Sequence, residues 1–155
     1  EFDREMTTTR KLLERVPDGR FDWTPHPRSM TLGRLAQHVA TLPMWGSTTI
    51  LTSEIDLGSQ DPVPPMTTRA DLLAGFDRHV AETRAALGGR TDADFSAPWT
   101  LKHKGQPLFT APKAVVWRSF VMNHLVHHRA QLSVYLRMND VPIPSMYGPS
   151  ADEAT

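Results

Sequence analysis

Two histidines four residues apart, His124 and His128, lie in the segment Asn123-His124-Leu125-Val126-His127-His128-Arg129-Ala130-Gln131. On a helix that spacing puts both imidazoles on one face, about one turn apart, so they can take one metal ion together. They belong to a stripe that repeats at 4, 3, 4, 3, 4 spacing: Trp117, Val121, His124, His128, Gln131 and Tyr135. The neighbouring stripe is Met122, Leu125, Leu132 and Leu136. Both stripes are largely apolar, so His124 and His128 are expected to point inward. There an imidazole needs a hydrogen-bond partner or a metal. His127 is offset by about 100° from His128 and is expected outside that seam, at the surface or behind the metal ligands.

A third candidate comes from another segment. His38 falls between Leu35 and Leu42 in the series Leu35, His38, Leu42, Trp45, at a seam position where an apolar residue is expected. Three histidines on the inner seams of two helices would form an all-nitrogen facial site with coordination positions left open, as in catalytic rather than structural metal sites. The alternative is that these are polar core residues held by hydrogen bonds. Pro43 follows closely. It either kinks the helix beyond His38, re-aiming Trp45 toward the mouth of the site, or ends one helix and starts another.

The remaining histidines read as bland. His26 lies between prolines in a turn, His103 in a charged turn, and His79 beside Arg78; all three are expected to be solvated or capping. Leu125 follows His124, so the His-Glu-x-x-His zinc-protease pattern is missing. No phosphate-binding glycine loop, nucleophile elbow or Glu-x-x-His pair occurs. Without cysteine there is no disulfide, thiolate nucleophile or sulfur-ligated metal.

The elements that must position these residues are marked by proline. Of 13 prolines, only Pro43 interrupts the four stretches 1–16, 31–57, 67–88 and 113–139. Each stretch carries helical periodicity, and together they predict an all-α single domain over 1–155, a four-helix bundle. Ser29 and Thr31 are cap candidates for the second stretch, Thr67 or Thr68 for the third, and Gly88-Gly89 a stop. Trp99, Leu101, Leu108 and Phe109 flank a Lys102–Gly105 turn, which suggests a short hairpin near 97–110 over one end of the bundle.

Composition narrows the partners. Lys+Arg and Asp+Glu both total 17, giving zero formal net charge. That argues against nucleic-acid binding through a broad basic surface and against a polybasic membrane anchor. With no long apolar run, a soluble cytoplasmic protein is the expectation, although the chain starts at Glu1 without an initiator Met.

Three segments resemble the DinB superfamily of damage-inducible bacterial proteins: Phe21–His38 (FDWTPHPRSMTLGRLAQH), Asn123–Leu132 (NHLVHHRAQL, with Ala130 where Gly is common) and Val141–Glu153 (VPIPSMYGPSADE). The resemblance implies a four-helix bundle with two long connections and a divalent metal, commonly nickel or zinc, on His38, His124 and His128. It also implies a homodimer with a small-molecule ligand. Related bundles include S-transferases and an isomerase that use the low-molecular-weight thiols mycothiol or bacillithiol. The expected activity is therefore metal-dependent thiol S-transfer, with the nucleophile on a bound cosubstrate because the chain has no cysteine. Gln131 and Tyr135 are candidates to orient the ligand, and Arg129 and His127 to fix imidazole tautomers. The alternatives are a non-catalytic, metal-stabilised binding module and a metal-hydroxide hydrolase.

Overall fold

The computed structural model describes residues 1–153. Helix α1 spans Phe2–Leu13 and buries Phe2, Met6, Leu12 and Leu13 along one face. Helix α2, Leu32–Thr41, begins where the Thr31 hydroxyl accepts the Arg34 N–H at 3.2 Å, which satisfies one of the orphan donors of a helix start. Helix α3 covers Met44–Leu51. Helix α4, Arg69–Leu87, opens on a capping box in which Thr68 and Asp71 satisfy each other's backbone N–H groups. A short helix α5 spans Asp92–Ser96. The final helical run comprises α6 at Lys113–Val116, a π-helical stretch at Trp117–Asn123, and α7 at His124–Arg137.

Helix α1 packs on α4 and α7, and α2 packs on the same two helices. Leu12, Leu35, Leu72, Phe76, Val121, Leu125 and Leu132 meet in the resulting apolar core. The expected second helix over 31–57 is shorter and divided. Leu42 and Pro43 keep helical dihedrals, but α2 ends at Thr41, and Pro43 leads into α3. The Thr83 hydroxyl donates to the Pro43 carbonyl at 2.6 Å, tying the break to α4.

The chain is mainly helical, with a small three-stranded sheet in which the expected hairpin gains a third strand. Strand β1, Glu54–Asp56, lies inside the region expected to be helix. It pairs in parallel with β2, Pro98–His103, which pairs antiparallel with β3, Gln106–Pro112. The hairpin is where the sequence placed it. Its turn puts Lys104 at φ 50° and Gly105 at φ 78°, the positive dihedrals that a two-residue hairpin turn of matching twist requires. The Asp56 carboxylate accepts the N–H groups of Lys104 at 2.8 Å and Gly105 at 2.6 Å, which fastens β1 to that turn. Trp99, Leu101 and Val116 form a second small apolar cluster under the sheet, with Trp45 packed against it.

Candidate metal centre

His38 comes from the second turn of α2, and His124 and His128 from the first two turns of α7, two helices that pack directly on each other. All three side chains are half-buried, and one ring nitrogen from each lies within 4.8 Å of the others. The Nε2 atoms of His38 and His124 are 3.2 Å apart. A divalent ion bound tetrahedrally by two imidazoles holds their nitrogens about 3.3 Å apart. Two nitrogen lone pairs repel at that distance, so a proton or a cation must lie between them.

For His128 the second ring nitrogen fixes how the first one points. His128 Nδ1 donates to the Gln131 side-chain oxygen at 2.7 Å, which leaves the lone pair on Nε2. The Phe120 backbone carbonyl lies close to the His124 ring and favours its protonated form. Phe120 lies in the π-helical stretch that leads directly into His124. Such single insertions widen a helix and recur at functional sites.

All three imidazoles are held neutral. Burial, then the neighbouring His128 and His124 and finally Arg34, lowers His38 to about 4. Burial also lowers His124, with His128 adding to it and the Phe120 carbonyl opposing. His128 is lowered by burial, against the Gln131 contact. Neutral imidazole is the form that ligates a metal.

The other expected site residues lie around this cluster in different ways. His127 is exposed and meets His128 edge-on, with ring centroids 4.7 Å apart. Tyr135 packs edge-on against Trp23 at 5.5 Å, and Trp45 is half-buried between the two apolar clusters. Arg129 does not bond to an imidazole. It is 1% exposed and donates to Glu5 Oε2 at 2.7 Å, the Glu5 carbonyl at 3.1 Å and Thr9 Oγ1 at 3.1 Å. The Tyr147 hydroxyl donates to the same Glu5 oxygen at 2.8 Å. Burial would raise the Glu5 carboxyl, but the Arg129 and Tyr147 hydrogen bonds outweigh it and hold it below its ordinary value.

His79 corrects a second expectation. It is 5% exposed rather than solvated, and among the described residues neither ring nitrogen has a hydrogen-bond partner. The Glu82 carboxylate approaches Nδ1 only to 3.5 Å, too far for a well-formed hydrogen bond. The signal was in the sequence, since Leu72, Phe76, His79, Thr83 and Ala86 repeat at 4, 3, 4, 3 spacing and all are buried. His26 and His103 are exposed, as expected.

A mainly helical fold with a small sheet and three histidines converging from two packed helices defines the class of protein. The chain belongs to the DinB superfamily, whose family model matches residues 1–132. It is 28% identical over 155 residues to the uncharacterized protein YrdA of Bacillus subtilis strain 168, covering 98% of this chain and 87% of that one. Two solved structures share the fold. A DinB-like protein from Bacillus cereus ATCC 10987 superposes with a TM-score of 0.70 at 23% identity, covering 94% of this chain and 92% of the other. The DinB-like protein YjoA from Bacillus subtilis gives 0.69 at 18% identity, covering 99% and 96%.

Proposed function

We propose that this protein binds one divalent metal ion through the Nε2 atoms of His38, His124 and His128 and uses it in thiol-dependent group transfer. The carrying observation is the convergence of three neutral imidazoles, two with Nε2 atoms 3.2 Å apart, on two helices that pack together. Their all-nitrogen donor set suits nickel or zinc. Three ligands leave room for a small molecule, and a metal at such a site lowers the pKa of a thiol or water bound to it.

The chain's own residues supply position and not acid–base chemistry. Gln131 holds the His128 ring through Nδ1. The cavity that His38 shares with Met30, Arg34, Gln37 and Thr41 carries no carboxylate among the described residues. The thiol comes from the cosubstrate, because the chain has no cysteine of its own. Helices α1, α2–α3, α4 and α6–α7 serve as a four-helix frame that keeps the triad rigid.

Metal-loaded protein mixed with a bacterial low-molecular-weight thiol and a chlorobimane electrophile should form thioether faster than metal-free or His128→Ala protein. Equal rates in all three would refute transferase activity. The lack of a general base in the cavity favours, as second reading, a metal-stabilised binding module. In that case chelation lowers Tm while no thiol acceptor turns over.

A further inference from the structure

We propose that Arg34 is the anion-recognition residue of this site, so that its small-molecule ligand carries a carboxylate beside the group that meets the metal; this rests on the metal-centre reading above. Arg34 and His38 are four residues apart on α2 and line the same cavity, of about 370 Å³, a size that suits a small ligand.

The other walls are already committed. Gln37 donates to the Pro64 carbonyl and accepts the Met66 N–H, both at 3.1 Å, and the Thr41 hydroxyl donates to the His38 carbonyl at 3.0 Å. Met30 is apolar. Only Arg34 brings an uncommitted polar head. Arg10, Arg118, Arg129 and Arg137 each pair with a carboxylate, but among the described residues no carboxylate pairs with Arg34. Asp18 and Asp22 line an adjoining cavity with it, and Asp18 accepts the Arg69 N–H at 2.5 Å.

Arg34 is also misplaced for stability. It occupies the first turn of α2, which has no acidic residue, and a cation there opposes the helix dipole. A divalent ion on three neutral imidazoles would add two further uncompensated charges beside it. A carboxylate paired with the guanidinium in the two-pronged geometry arginine favours offsets this excess.

The test uses zinc-loaded protein, wild type and Arg34→Gln, titrated calorimetrically with 3-mercaptopropionate and with its neutral amide, the zinc content of each sample being measured. Wild type should bind the acid at least about fivefold more tightly than the amide, a preference that shrinks at high salt. Arg34→Gln should bind both alike, with the amide affinity unchanged and Tm equal or slightly raised. A preference that survives in Arg34→Gln, no preference in wild type, no binding of either thiol, or a lowered Tm would overturn the role of Arg34 while leaving the metal centre intact. Wild-type protein that takes up no zinc would overturn both.

Discussion

Gln131 accepts the Nδ1 proton of His128 and so sets which nitrogen of that ring carries the lone pair. Gln131→Ala should weaken metal binding about 10-fold or more while leaving one ion per chain at saturation, measured by competition with a chromogenic chelator. Protonation acts through the same rings. His38 takes a proton near its ordinary 6.5 when unfolded but only at about 4 when folded. Its contribution to stability is therefore fully present above 6.5 and is lost as the pH falls through about 4. Denaturant midpoints of metal-free protein should accordingly drop between pH 7 and pH 4.5, and a midpoint unchanged over that range would contradict this. At this scale the triad was legible because seam spacing on a helix fixes direction. The partners of Arg129 were not, since they lie on another helix about 120 residues away in sequence. The clue was chemical. Glu5 on the apolar stripe of α1 and Arg129 beside that of α7 are opposite charges, each needing a buried partner.

Among the elements, the α2–α3 break depends on close approach. A Cβ on Gly46 would lie 2.5 Å from Thr83 Cγ2 and 3.0 Å from the Trp117 ring. Gly46→Ala should therefore lower stability by about 1–3 kcal/mol despite alanine's better helix propensity, read from thermal or denaturant melts. The helix limits were only partly readable. Pro43 announced an interruption but not that Thr83 would pin its carbonyl. Residues 54–56 join the sheet because a parallel partner, β2, arrives from more than 40 positions away, and local periodicity carries no such information. The hairpin was readable because turn chemistry is local. The π-helical stretch was not, because one extra residue in a turn leaves no mark on an apolar stripe that short.

The whole molecule is closed by the buried Glu5–Arg129 pair with Tyr147, which joins α1, α7 and the C-terminal tail. Arg129→Met leaves a carboxylate buried without its guanidinium, and should cost about 3–5 kcal/mol in global unfolding without changing metal stoichiometry in the protein that remains folded. Among the described residues, no helix is long and apolar enough to cross a membrane. Because the triad joins α2 to α7, metal binding should also raise the melting temperature of the whole chain. The most direct test is elemental analysis of protein purified without a nickel column and then equilibrated with nickel or zinc and desalted. The wild type should retain about one ion per chain, and His38→Ala, His124→Ala and His128→Ala should each retain far less. A metal-free wild type, or variants that retain as much metal as it does, would contradict the histidine triad as a metal centre.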